Sequence, residues 1–481
     1  MTTVSPASPR ADVAPTGEQP TRVRYGVLGF ACSLSMITYL DRVCFGAAAP
    51  QLATELGYQS VADLSWAFTA FAFAYAAFEV PSGWLGDVYG PRGTLIRIVI
   101  WWSAFTAITG LVGMKVGAVT LGGIGTLIAI RFLFGMGEAG AYPNITRALH
   151  NWFPSTERGS TQGMVWMSGR LMGGLTPLVW ALLVAGTSYS DPLITWRGAF
   201  WLFGAMGLVW CFLFAMWFRN VPREKSTVNA AELALIEKDR ETHAGHYGVP
   251  WKKILTSGNL WILCFMYFCT AYGWYFNITY LPAFLEEQFA VEKTSLVGAL
   301  YKGGPLWMGA IGCLFGGFLT DRFIRRTGDL RTGRRIFGII GHSLCAVCYF
   351  LCIYAPSAMT FFLAISLAAF FNDLTMGSAW ATCQDIGRRY AAIVAGFMNT
   401  IGNLGGALAG TVTGMILNHT KAQHAATLGT TVEAMSKAEI ATGQLAGYHI
   451  NFISYAVVYV IAVGCWFLID ASKPVAPDDK A

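Results

Sequence analysis

Charge is what this sequence has least of. Lys, Arg, Asp and Glu make up 12% of 481 residues, about half the share found in an ordinary soluble domain. That scarcity excludes a conventional water-soluble fold. The seven His are scattered without ligand spacing, so no metal site is expected. The formal charge of +6 carries no nucleic-acid signature, because the basic residues fall in short loops between apolar runs. No Ser/His/Asp or Cys/His arrangement accompanies the acidic residues, which argues against an enzyme. Residues 1–21 have no apolar core. Rich in Pro, Thr, Ser and Ala, they read as a disordered cytoplasmic tail rather than a signal peptide.

What is abundant points one way. Apolar residues reach 54%, with 54 Gly and 17 Trp, as packed membrane helices with interfacial anchors require. The eleven Cys lie almost entirely inside apolar runs, and Cys345, Cys348 and Cys352 share one helical face. They read as small hydrophobes, so no disulfide is expected. Twelve runs are long enough to span a bilayer: 25–50, 64–86, 95–114, 119–145, 160–186, 198–218, 258–286, 295–320, 336–355, 358–382, 390–417 and 447–470. With both termini cytoplasmic, most of the 33 Lys and Arg lie in the tails and even-to-odd loops. Only Lys115, Arg197, Lys293, Lys421 and Lys437 fall in the opposite loops.

These runs imply a tail (1–21), a six-helix bundle (22–219), a cytoplasmic linker (220–257), a second six-helix bundle (258–470) and a cytoplasmic tail (471–481). The linker holds an amphipathic segment near 230–240. Residues 418–446 read as a long external loop.

The fourth run closes on RFLFGMGEAGAY, Arg131 to Tyr142. Arg131 and Glu138 are seven residues apart, on one helical face and about 10 Å apart along the axis. A charge at mid-bilayer costs at least ~3 kcal/mol, so such residues usually mark a wet pathway. The glycines at 135, 137 and 140 admit a close neighbour. A binding or proton-handling site and a buried structural ion pair are both open readings.

A motif recurs. Gly83-Trp-Leu-Gly-Asp87-Val-Tyr-Gly90-Pro-Arg92 follows the second run, and Gly317-Phe-Leu-Thr-Asp321-Arg-Phe-Ile-Arg325-Arg326 follows the eighth, 234 residues later. A recurrence near half-length suggests two homologous halves. An Asp at a helix end, followed by an Arg turn, can latch a neighbouring helix as a gate. The candidate gating residues are Gly83, Asp87, Arg92 and Asp321.

These features resemble the major facilitator superfamily, whose loop signature is G-x-x-x-D-x-x-G-x-R. The first copy matches it fully, and the second lacks the second Gly. Tyr39-Leu-Asp41-Arg42, Arg131-Phe-x-x-Gly-x-Gly-Glu138-Ala-x-x-Tyr-Pro143 and Gly396-Phe-Met-Asn399-Thr-Ile-Gly-Asn403-Leu-Gly-Gly406 are similar to the anion:cation symporter family within it. That family includes bacterial galactonate, glucarate and phthalate permeases and the vesicular glutamate and sialic acid carriers. The resemblance covers residues 22–470. It implies an all-α membrane protein with twelve transmembrane helices in two pseudo-symmetric six-helix halves. By resemblance, Arg42 would bind a substrate carboxylate, and Glu138 would be the main proton-coupling acid, supported by Asp41 and Arg131. Tyr39, Tyr75, Ser378, Trp380 and Asn399 would line the central cavity. The proton would be the coupling ion, with no other cofactor. Asn277 is added from its place among the aromatics of the seventh run.

Some residues depart from the family pattern. Arg170 stands where a neutral polar residue such as Gln is common. It either binds a second anionic group or neutralises a local acid such as Glu138 or Asp373. Glu79 also replaces a familiar Gln, as a second protonatable group or a partner of Arg170. Lys302 either faces the cavity or snorkels outward. Asp385 is expected to pair with Arg388 and Arg389. The combined expectation is a proton-coupled importer of an organic anion, a sugar acid or other mono- or dicarboxylate. The protein would sit as a monomer in the plasma membrane, the inner membrane in a bacterium. Anion exchange, an aromatic-carboxylate permease and a non-transporting sensor are the alternatives.

Overall fold

A computed structural model describes residues 18–476 apart from 59, 118, 187–190, 239–247 and 292–295. The expected tail residues 1–17 and 477–481, and the middle of the linker, lie outside that set. Twelve helical crossings fill the described chain. The first six are Arg24–Glu55, Ser65–Tyr89, Pro91–Thr109, Ile124–Glu138 continued by Ala141–Trp152, Arg158–Trp180 with a wide turn at Ala181–Ala185, and Trp196–Trp217. The second six are Gly258–Thr279 with Leu281–Phe289, Leu296–Thr327, Leu330–Cys352, Ala358–Leu374 with Met376–Gly387, Ala391–Thr427 and Lys437–Leu468. Among the described residues, eight stretches are long and apolar enough to cross a bilayer on length and composition alone, one of them, Ala358–Thr427, holding the tenth and eleventh crossings back to back.

Two expectations about boundaries need correction. Residues 119–123 do not belong to the fourth span. Val119–Leu121 pairs antiparallel with Met114–Val116. Positive φ at Gly113, Gly117 and Gly122 turns the chain there, so an apolar run becomes a hairpin. The stretch 418–446 is not a long loop either. The eleventh helix continues to Thr427, and a capping box between Ser436 and Glu439 starts the twelfth at Lys437.

The two ends of the described chain, from residue 18 and to residue 476, lie on one face of the bundle, here called the terminal face. Residues 18–21 are docked there, not loose. The linker helix Ala230–Glu237 offers Asn229 to Thr21 and Gln19, and its buried Glu232 accepts the backbone N–H groups of Val23 and Arg24, each at 3.2 Å. At the other end, Val475 donates its N–H to Ile386 at 2.9 Å. The apolar core also changes along the bundle. Near the terminal face one continuous cluster crosses between the halves, joining Trp152 and Trp166 to Trp380 and Ile393. Toward the opposite face it divides into two separate cores, one around Phe45 and Phe200 and one around Phe284 and Phe452. The buried apolar core is therefore continuous between the halves at one end and parted at the other.

Candidate functional site

Two crossings break at equivalent points. The fourth stops at Glu138, because Gly140 takes φ +85 and the helix restarts at Ala141. Asn144 holds the break by donating to the carbonyls of Gly140 and Ser82, at 2.8 and 3.1 Å. The tenth stops at Leu374 and restarts at Met376. Each break directly follows a buried acid, Glu138 and Asp373, and each acid is held by an Arg. Interrupted helices at membrane depth are tolerated where backbone is buried in protein or lines a cavity.

Arg42 Nε donates to Glu138 Oε1 at 2.7 Å. The Arg42 side chain is 30% exposed and that of Glu138 1%. The guanidinium lies 4.4 Å from the centre of the Tyr75 ring. Arg131 does not take Glu138, despite sharing its helix face. It sits among Phe45, Phe134 and Phe71, with ring centres at 4.0, 4.6 and 4.7 Å. Asp41 is buried beside the Thr106 hydroxyl. Arg131 and Glu138 are the charges that act on it.

Arg170 reaches across to the other half. Its Nε and Nη2 meet the two oxygens of Asp373 at 2.7 and 3.2 Å, and Nη1 donates to the Tyr39 hydroxyl at 2.8 Å. The Trp274 ring lies 3.8 Å from the guanidinium. Of the two open readings for Arg170, the geometry gives the local acid, and that acid is Asp373. Glu79 is not its partner. Glu79 accepts instead from Asn399, Thr400 and Asn403 of the eleventh span.

The terminal face carries the seam. Asp87 accepts the N–H groups of Ala392 and Ile393, and Arg147 lies 3.4 Å from it. A Cβ on Gly83 would collide with the Ala392 carbonyl, so the glycine sets how closely the second and eleventh spans meet. Asp321 accepts from the N–H groups of Gly159 and Ser160 at 3.0 and 2.6 Å. Arg334, fully buried, joins Asp321 to Asp385, and Arg158 completes the chain at 2.8 Å from Asp385. Asp385 thus pairs with Arg158 and Arg334 rather than with the adjacent Arg388 and Arg389. Arg92 turns back into its own half, onto Asn220 and the Ala215 carbonyl.

The family model described as Major Facilitator Superfamily matches residues 31–410. The chain belongs to the Major Facilitator Superfamily. It is 33% identical over 407 residues to the "Probable sulfoacetate transporter" of Cupriavidus necator, covering 84% of this chain and 89% of that one. It is 30% identical over 402 residues to the "Hexuronate transporter" of Bacillus subtilis, covering 82% and 88%. Among solved structures, a bacterial homologue of the human lysosomal transporter Spinster, inward-facing and unoccupied, aligns with a TM-score of 0.60 at 19% identity, over 94% of this chain and 97% of that one.

As a member of this superfamily the chain is a transporter, not an enzyme, and its relatives carry anions. Arg42, Tyr39, Tyr75, Arg170 and Asn399 come together with Asp41, Arg131 and Glu138. Other expected cavity residues are placed elsewhere. Ser378 is wholly buried and bonded to Thr320 at 2.9 Å, within helix packing. Asn277 donates to Tyr349 at 3.1 Å, inside the second half. Trp380 is fully buried, with its ring tilted against Trp166 and Tyr142. Lys302 is half-buried in the eighth span. Sequence reasoning missed Thr400 and the Trp274 face over Arg170. Thr400 adjoins Asn399 in a quoted motif, which was the available signal.

Proposed function

We propose that this chain is a proton-coupled symporter that imports a small organic anion by alternating access of its two halves. A single observation carries the reading: the partly exposed Arg42 is held at 2.7 Å by the buried Glu138. Glu138 and a substrate carboxylate compete for the same guanidinium. Protonating Glu138 frees the planar fork of Arg42, which suits a carboxylate in two-pronged contact. Proton and anion then favour each other's binding, as symport requires. Arg131 and Asp41 flank the pair and set the field around it. The terminal face is the cytoplasmic one, so the parted face opens outward and admits both ligands. Rocking of the halves then exposes the site inward. Loss of the proton returns Glu138 to Arg42 and displaces the anion.

The substrate is a small carboxylate, a sugar acid or another mono- or dicarboxylate. The names of the relatives, a probable sulfoacetate transporter and a hexuronate transporter, support this class. The protein would lie in the plasma membrane with both termini cytoplasmic. The test is uptake of labelled sulfoacetate, glucuronate and glucarate into proteoliposomes, with and without an inward proton gradient. Arg42→Ala should abolish anion binding. Glu138→Gln should retain counterflow but lose gradient-driven accumulation. Full accumulation by Glu138→Gln would sink the coupling assignment. Wild-type uptake that needs internal anion and ignores the gradient would replace symport with exchange.

A further inference from the structure

We propose that Glu79 is a second proton-binding site, whose ionised carboxylate ties the second span to the eleventh and whose protonation releases them. The proposal rests on the coupling reading above, but concerns a different carboxylate at a different interface. Glu79 is fully buried, and among the described residues it makes no salt bridge. Its partners are the Asn399 amide, the Thr400 hydroxyl at 3.2 Å and the Asn403 amide at 3.5 Å, all from the opposite half. These three donors converge on one carboxylate, the Tyr75 hydroxyl of its own span adjoins it, and none of the four carries a charge.

The internal repeat supplies the control. The residue 234 positions after Glu79 is Cys313. Cys313 occupies the matching place in the eighth span, where its backbone meets Gly163 of the fifth. There the buried acid beside Cys313 is Asp373, and it is neutralised across the interface by Arg170 at 2.7 Å. Glu79 differs in having no such paired cation, and burying a carboxylate in that state is costly. Below Glu79, the same interface carries Gly83 and the Asp87 latch. Midplane and terminal-face ties thus lie along one helix pair.

The groups around Glu79 can be named span by span. Arg42 of the first span and Tyr75 of its own span act on it directly. Glu138 of the fourth span acts on Tyr75 in turn. Tyr275 faces it from the seventh span. Arg97 of the third span bonds to Ser82 at 3.5 Å, one turn away. The eleventh span contributes only neutral donors.

Chemistry gives the direction. An ionised Glu79 accepts from all three donors, and bonds to a charged acceptor are roughly twice as strong as neutral ones. A proton arriving from the outer side removes the negative charge, so the Asn399, Thr400 and Asn403 contacts keep at most weaker, neutral hydrogen bonds. The tie weakens, and the interface can part. The proton leaves on the inner side, once the donors have moved off and water reaches the carboxyl. Ionised Glu79 would hold the terminal face shut and limit uncoupled cycling.

The experiment is hydrogen exchange on the purified full-length protein without substrate, at mildly acidic and mildly alkaline pH, corrected for intrinsic rates. Acidification of the wild type should raise exchange along residues 76–92 and 391–403 by about ten-fold, the scale of one lost charge-assisted bond. Glu79→Gln should exchange at the acid-like rate at both pH values. Glu79→Asp should keep the response, because the titrating group remains, and it serves if Glu79→Gln folds poorly. Glu138→Gln should also keep it, and Glu138→Gln with Glu79→Gln should lose it. An unchanged pH response in Glu79→Gln would overturn the proposal. So would a response lost only in Glu138→Gln, which would leave the Glu138 assignment standing.

Discussion

Asp87 accepts the backbone N–H groups of Ala392 and Ile393 at 3.2 and 2.8 Å, so a carboxylate of one half caps a helix of the other. Asp321, 234 residues later, does the same for Gly159 and Ser160. The donors are the orphan amides of a helix N-terminus, where a negative charge is also favoured by the helix dipole. Both latches close the same face, which makes its opening a matter of breaking two similar contacts.

Losing either latch should cost the closed state about 1–2 kcal/mol, roughly a 5- to 30-fold shift toward opening. The measurement is the rate at which a water-soluble maleimide reaches a cysteine substituted for Ser160, in Asp87→Ala and in the parent. A rate unchanged by Asp87→Ala would mean that the Asp321 latch and the Arg158–Asp385–Arg334 chain suffice to keep the face shut.

Arg170 and Asp373 are both almost fully buried, so each is the other's counter-charge. Breaking such a pair from one side costs about 3–5 kcal/mol, whereas replacing both members with apolar groups is often neutral. Arg170→Gln and Asp373→Asn should each lower Tm in detergent, and Arg170→Met with Asp373→Leu should recover most of the loss. The same Arg170→Gln variant can be compared on mono- and dianionic substrates. A selective loss for the dianion indicates that its second anionic group displaces Asp373. An equal change for both leaves the pair as a tie between halves only.

Glu232 binds the linker to the start of the first span through Val23, Arg24 and Thr21, and pairs with Arg24 at 3.0 Å. Glu232→Ala should destabilise this junction by about 2 kcal/mol, the scale of lost bonds to a buried charged acceptor. Limited proteolysis should then cut the linker faster, by roughly ten-fold or more. Unaltered cleavage would show that Arg24 is held by Glu157 alone.

The sequence by itself determined the membrane class, the twelve crossings, the two-fold repeat and the set of charged residues that had to be explained. Each is a local or additive property. Hydropathy is summed over about 20 residues of one helix, and the repeated Asp motif lies in contiguous segments. Where local signals conflicted, the sequence failed. Val119 looked like the start of a helix because it is apolar, but the neighbouring glycines turn it into a hairpin. Residues 418–446 looked like a loop because they are polar, although a capping box and helix propensity carry them as helix.

Only the tertiary structure decided the pairing. Arg131 and Glu138 share a face on paper, yet Glu138 goes to Arg42, 96 residues away, and Arg131 goes to three phenylalanines. Asp385 passes over its neighbouring arginines for Arg158, 227 residues away. Whether a polar residue such as Ser378 or Asn277 faces a cavity or a neighbouring helix likewise depends on the rotation of each helix in the bundle. Within a bilayer every helix already satisfies its own backbone. Its rotation is therefore set by side-chain packing and charge pairing with distant helices, which no window along the chain contains.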